Sequence, residues 1–344
     1  VSGAGGSPVP AETLLRLWWL AHGAFPREPV GWAVRQGLGP LLLGGGADDE
    51  DGLLRESRRR AVLRWQGTLV HLERVLGSFA ASGVRALVLK GAALALAHYP
   101  DPALRPMGDL DLLVPRSQWG EAVRALEALD WAVYDVAEHG AGFTGPGGGR
   151  LELHVALTSC PAVFPVAFDD LFARALPLGH GLPGRRLADE DTLVHLALHA
   201  AFQHGFRVRL GQYLDFERLL VGPLALERLL AAVGAARAWR PLACSLAVVQ
   251  ALLGTEPPAP AADALAAHVP ARARRWIRSS AGAPWKLLEG LGLARARWLL
   301  AAGAGCRFRL LTGTLWPGRP DGSREVSPWK ALARGRRLLS HAWR

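Results

Sequence analysis

The sequence predicts an α+β protein in which a mixed β-sheet with flanking helices is followed by a mainly helical C-terminal region. Three observations predict it. Short apolar, strand-like runs alternate with helix formers from Val84 to about Cys160. Gly- and Pro-rich segments punctuate those runs as turns. From Asp189 onward apolar residues recur with helical spacing. The expected divisions are a helical extension over residues 1–60, the sheet-bearing domain over 61–178 and the helical domain over 179–344.

The elements follow in order. Ala11 to His22 reads as a helix, followed by a Gly/Pro-rich stretch, and GGGADDEDG (Gly44 to Gly52) as an exposed acidic loop. Leu53 to Ser82 has helical periodicity, with Leu63, Val70, Leu72, Val75, Leu76 and Phe79 as an apolar stripe. Val84 to Leu89 is a short strand that ends at Lys90-Gly91 and enters the helix former AALALAHY. PDPALRPMG is a loop, GDLDLLVP a second strand and Trp119 to Leu129 an amphipathic helix. Trp131 to Val136 reads as a strand, and GAGFTGPGGGRLELHVAL as a hairpin turning at Gly145 to Gly149. DEDTLVHLALHAAFQHG opens the helical region with acids suited to a helix N-terminus. Further helices are expected at Leu210 to Leu220, Leu224 to Ala236, Pro241 to Leu253, Ala261 to His268 and Trp285 to Ala301. PPAPAAD (Pro257 to Asp263) reads as a linker or loop, and Trp329 to Leu339 as a last basic helix.

Half of the 344 residues are apolar, enough for a sizeable core and two compact domains. There is no uncharged apolar run of about eighteen residues, so no membrane span or membrane partner is expected. The N-terminal stretch lacks the basic and long apolar regions of a signal peptide. Cys160, Cys244 and Cys306 are too widely spaced for a zinc or disulfide framework, and a cytoplasmic location is expected. The net charge of +10 suits anionic partners such as nucleotide phosphates or RNA, although an arginine-rich coding bias produces the same figure. Lysine occurs only at Lys90, Lys286 and Lys330. Lys90 is conspicuous in a chain that otherwise writes arginine.

The chemistry concentrates in LVLKGAALALAHYPDPALRPMGDLDLLVP, Leu87 to Pro115. Asp109 and Asp111 lie two apart in a strand-like run, so their side chains leave one face. Two buried carboxylates that close repel, and a divalent cation relieves the repulsion. Oxygen ligands favour Mg²⁺ or Mn²⁺. Gly91 allows close backbone approach where a helix N-terminus faces an anion, and Lys90 adds a mobile charge for a polyphosphate. Alternation puts Glu152 and His154 on one face of their strand, where Glu152 would complete a three-acid site able to hold two metal ions. Taken alone, Glu152 would be a solvent-facing strand residue and Lys90 an exposed turn lysine.

These segments, LKGAAL (Leu89 to Leu94), RPMGDLDLLV (Arg105 to Val114) and ELH (Glu152 to His154), resemble the nucleotidyltransferase superfamily that includes DNA polymerase beta. They resemble most closely its uncharacterised bacterial branch, nucleotidyltransferase family 5. EDTLVHLALHAAFQHG and YLDFERLL extend the likeness, which covers about residues 60 to 220. The resemblance implies a polymerase-beta-like minimal nucleotidyltransferase domain over 61–178, plus the helical C-terminal region. It implies transfer of NMP from an NTP, with two Mg²⁺ or Mn²⁺ ions on Asp109, Asp111 and Glu152. It places Lys90, Gly91, Ala92 and Arg105 on the nucleotide side. Ala92 stands where the superfamily usually has serine or glycine, which leaves only backbone donors there. Arg105 is open between pairing with a carboxylate, contacting phosphate and a structural role. His154, His199 and Asp215 are candidate substrate-lining residues; a structural or packing role is the alternative for the histidines, and helix packing or a salt bridge with a nearby arginine is the default for Asp215. His195 and His199, four apart, lack the further ligands of a zinc site. The acceptor is open between a small molecule or natural product, favoured by the branch's association with biosynthetic gene clusters, a peptide or protein, and tRNA as in toxin-like relatives. A non-catalytic nucleotide-binding scaffold and a phosphohydrolase are the competing classes.

Overall fold

The computed structural model describes residues 29–44, 49, 51–257, 259–280, 284–301, 303–315 and 319–321. The helices expected at Ala11 to His22 and Trp329 to Leu339 lie outside the described residues. Two short helices, α1 (Pro29–Arg35) and α2 (Gly39–Gly44), precede the long helix α3 (Leu53–Ala81) in what reads from sequence as an irregular stretch. The expected exposed acidic loop contributes a buried residue instead. The Asp49 carboxylate accepts hydrogen bonds from the Leu54 and Arg55 amides at 2.7 and 3.0 Å and caps α3. Leu72, Val75, Leu76 and Phe79 of α3 are buried, but Leu63 and Val70 are exposed. The correction is geometric: nine residues turn a helix by about 180°, so Leu63 lies opposite Leu72.

The sheet comprises β1 (Leu87–Val88), β2 (Leu110–Leu113), β3 (Ala132–Ala137), β4 (Gly140–Thr144), β5 (Arg150–His154), β6 (Leu176–Pro177) and β7 (Arg185–Arg186). Their order is β3-β4-β5-β2-β1-β7-β6. Helix α4 (Lys90–His98) follows β1, and α5 (Trp119–Glu127) follows β2. The β4–β5 hairpin turns at Gly145 to Gly149, with Thr144 opposite Arg150. Strands β2 and β5 run parallel, and that pairing puts Asp111 directly beside Glu152. Leu110, Leu112, Leu151 and Leu153 point to one face, where they pack with Leu72, Val75 and Phe79 of α3. The intervening residues Asp111, Glu152 and His154 therefore take the other face.

A helix α6 (Phe168–Ala173) leads to the β6–β7 edge. Helix α7 (Asp189–Ala197) continues into a wider π-helical turn, Leu198–Gln203. Then come α8 (Leu210–Leu220), α9 (Leu226–Ala235), α10 (Trp239–Leu253), α11 (Ala259–Ala266), α12 (Ala271–Ser279), α13 (Leu293–Leu300) and α14 (Gly303–Leu315). Their core is centred on Phe202, Phe206, Tyr213, Phe216 and Val249. The expected linker at Pro257 to Asp263 already contains the start of α11, whose Pro260 sits in the first turn, where proline needs no amide partner. The single helix expected over Trp285 to Ala301 is broken into a helical turn, Pro284–Glu289, and α13. Gly290 (φ 70°) lies between them, and a Cβ there would come within 2.4 Å of the Gly205 carbonyl oxygen. That close approach seats α13 against the π-helical turn. No helix among the described residues is long and apolar enough to cross a membrane.

Candidate active site

A cleft of about 590 Å³ opens between the polar face of the sheet and the segment from the π-helical turn into α8. Its floor carries Lys90, Gly91, Asp109, Asp111 and Glu152. The first turn of α4 delivers Lys90 there with φ 30°, in the left-handed region that a side-chain-bearing residue adopts only under constraint. The constraint is visible: the Leu89 amide bonds the Asp111 carbonyl at 2.9 Å, and the Lys90 ammonium reaches the Asp111 carboxylate at 2.9 Å. Lys90 is thus bonded to the floor rather than projecting freely. His154 Nε2 lies 3.0 Å from the same Asp111 oxygen and 3.4 Å from Glu152.

The electrostatics follow from this packing. Burial alone would raise the Asp111 pKa, but the Lys90 charge and the His154 hydrogen bond outweigh it and hold the carboxyl well below its usual range. Burial would lower His154, yet its bonds to Asp111 and Glu152 raise it. Asp109 has no such partner among the described residues. Burial and the adjacent Asp111 charge push its carboxyl up to about 6, despite the opposing pull of Lys90. The floor therefore carries negative charge that its own cations do not fully offset. Asp111, Glu152 and His154 present ligand atoms within 4.8 Å of one another, in a set of carboxylate oxygens and one imidazole that suits a divalent cation.

Other sequence candidates fall elsewhere. The Ala92 side chain is fully buried. Arg105 touches the cleft, but its guanidinium is engaged by Asp215: Nε donates to Oδ1 at 2.9 Å and Nη2 to Oδ2 at 2.7 Å. Asp215, open between a lining role and a salt bridge with an arginine, takes the second: it is fully buried, because α8 turns it toward Arg105 and the Tyr99 hydroxyl, which donates to it at 2.8 Å. The Arg218 guanidinium stacks 4.0 Å above the Tyr99 ring and closes this buried network. His199 lines the cleft and pairs with His204, Nε2 to Nε2 at 3.1 Å, so one neutral ring donates to the other. Burial holds both histidines below the usual range. His195 is buried and does not reach the cleft.

The wall also contains residues that sequence reasoning missed: His139, Ser159, His204, Arg207, Arg209 and Arg297. Only His204, inside a segment already singled out, carried a local signal. Arg297 lies far beyond Leu220, where the last matching segment ends, and reaches the cleft through the Gly290–Gly205 contact.

Residues 32–254 match a family described as an uncharacterised nucleotidyltransferase. No curated protein matches the chain. Among solved structures, the solution structure of the antibiotic-resistance factor ANT(2'')-Ia is 18% identical, covering 51% of this chain and 92% of that one, with a TM-score of 0.39. The crystal structure of ANT(2'')-Ia with adenylyl-2''-tobramycin is also 18% identical, covering 50% and 97%, with a TM-score of 0.37. An antigenic nucleotidyltransferase-like protein from Paracoccidioides brasiliensis is 15% identical, covering 56% and 94%, with a TM-score of 0.33. The family match takes in the central sheet strands, all three floor carboxylates and the helices that face them, and the chain belongs to this family of nucleotidyltransferases.

Proposed function

We propose that the protein transfers a nucleoside monophosphate from a nucleoside triphosphate to a hydroxyl or similar nucleophile and releases pyrophosphate. The observation that carries this reading is the parallel β2–β5 register, which sets Asp111 beside Glu152 with Asp109 two residues upstream. Mg²⁺ or Mn²⁺ held by Asp109, Asp111 and Glu152 would neutralise triphosphate charge and acidify the acceptor hydroxyl.

The chain's own residues do the rest. Lys90 and His154 keep Asp111 ionised and fixed in place. Glu152, with 42% of its side chain exposed, is the acid best placed to take the acceptor proton. The amides at the start of α4 offer donors to the phosphates, and Gly91 keeps that approach clear of a side chain. A new bond forms between the acceptor oxygen and the α-phosphorus, and the bond to the β-phosphate oxygen breaks, its electron pair leaving with pyrophosphate. Positioning and charge neutralisation supply most of the rate. Three free cysteines suit a reducing cytoplasm.

The test is pyrophosphate release from each of the common NTPs with Mg²⁺ or Mn²⁺, using cell extract as the acceptor source. Substituting Asp109→Asn together with Asp111→Asn is expected to lower release by about a thousandfold or more, equivalent to roughly 4 kcal/mol of barrier. Unchanged release from the double variant would sink the reading.

A further inference from the structure

The two ends of the cleft differ in chemistry, and the difference bears on the acceptor. At the Gly91 end, a Cβ on Gly91 would lie 3.4 Å from Arg105 and 3.6 Å from Met107. This is the end where α4 begins and where the proposed function puts the phosphates. At the Glu152 end stand His139, Ser159, His204 and Arg297. The His139 and His154 rings are 5.8 Å apart, and His139 and His204 both lie in the fields of Glu152 and Arg297.

Arg297 is held in advance of any ligand. Its Nε donates to the Phe202 carbonyl at 3.1 Å and its Nη2 to the Ser159 hydroxyl at 3.0 Å. Both partners are neutral, and no carboxylate pairs with it among the described residues. A guanidinium has five N–H donors, so several remain for a ligand. Among the described residues, every carboxylate lining the cleft belongs to the floor set of Asp109, Asp111 and Glu152. None is left over to receive an ammonium group. The neighbouring His139, His204 and Ser159 side chains can hydrogen-bond a polyol.

We infer that the acceptor is a small hydroxyl compound bearing an anionic group, phosphate or carboxylate, which Arg297 grips while Glu152 faces the reacting hydroxyl. This assignment rests on the nucleotidyl-transfer reading and makes Arg297 its specificity-determining residue. A cleft of about 590 Å³ holds a nucleotide and one small partner. Polycationic amino sugars meet a guanidinium where they would need a carboxylate.

The experiment measures calorimetric binding of glucose 6-phosphate, glucuronate, glucose and glucosamine to the full chain, with and without Mn²⁺ and a non-hydrolysable ATP analogue. The phosphate and carboxylate probes separate the two anion sources. At least one anionic probe is expected to bind about tenfold or more tighter than glucose, a gap of about 1.4 kcal/mol, with glucosamine weakest. Arg297→Gln is expected to bring the anionic probes level with glucose, and Arg297→Lys to keep part of the preference. Both variants should bind the ATP analogue as wild type does, which confirms that they fold. Glucosamine binding as tightly as the anionic probes, no binding of either anionic probe, or an Arg297→Gln variant with its preference intact overturns the inference. So does displacement of glucose 6-phosphate by micromolar tRNA, which would give the anion site to an RNA backbone. Loss of ATP-analogue binding in the wild type, with the probe preference present, counts against the nucleotide reading alone.

Discussion

Among the described residues, a lysine–carboxylate pair and an arginine–carboxylate pair are both buried, and they serve opposite ends. Lys90–Asp111 has side chains 11% and 4% exposed, and Arg105–Asp215 has 10% and 0%. By burial they are twins. Around Asp215 the cations cover the carboxylate: one arginine binds both oxygens and a tyrosine hydroxyl donates to one of them. Around Asp111 they do not, because Asp109 and Glu152 add carboxylates that Lys90 and His154 only partly offset. The first network is sealed and holds a second cation, Arg218, whose Nε and Nη2 find no hydrogen-bond partner among the described residues. The second borders a cleft and is short of positive charge. Burial of an ion pair therefore says little about its use, and the local charge balance says much.

The comparison can be broken at either pair. Asp215→Ala strands a buried guanidinium and is expected to cost about 3–5 kcal/mol in urea unfolding. A loss below about 1 kcal/mol would show that the network does not hold α8 to the segment before β2. Lys90→Met is expected to cost less, about 1–3 kcal/mol, since the floor acids border solvent. Millimolar Mn²⁺ should restore much of that stability, because a cation takes over the lysine's electrostatic role. The same addition should leave Asp215→Ala unmoved. Equal Mn²⁺ responses in the two variants would erase the distinction between them.

A pair of intermediate exposure sharpens the contrast through pH. Burial would raise Asp189, but hydrogen bonds from His98 and Arg186 outweigh it and hold the carboxyl down at about 2. Its contribution is present above the unfolded value near 3.8 and is lost as pH falls toward 2. The gap corresponds to about 2 kcal/mol. Asp189→Asn should flatten stability across that window, measured by urea midpoints between pH 5 and 2. Smallest of all, Asp49→Ala removes the α3 cap and should cost about 1 kcal/mol, with no response to Mn²⁺.

What could be read from the sequence divides along the same line. The floor was legible because its geometry is local: alternation along a strand fixes which face Asp109, Asp111, Glu152 and His154 take. Gly91 was legible because a glycine at a strand–helix turn has few other uses. The Arg105–Asp215 pair was open, since nothing in either segment states that they meet. Arg297, Ser159 and His139 were silent for a stronger reason. Arg297 reaches the cleft through a broken helix, a π-helical turn and a backbone contact at Gly290, all tertiary effects, while His139 and Ser159 sit in the turn before β4 and the loop after β5, where no motif marks them. Leu63 and Val70 failed because their spacing from Leu72 places them on the far side of α3. Asp49 failed because an acidic run gives no sign that one of its carboxylates will cap the next helix.

The bond between Arg105 and Asp215 also carries a time. The two residues are 110 positions apart in the chain. A ribosome adding roughly 5–20 residues per second needs about 5–20 s to travel from one to the other. Through that interval the segment leading to Asp109 exists while its anchor does not, and the nascent floor has to wait for α8 before it can set.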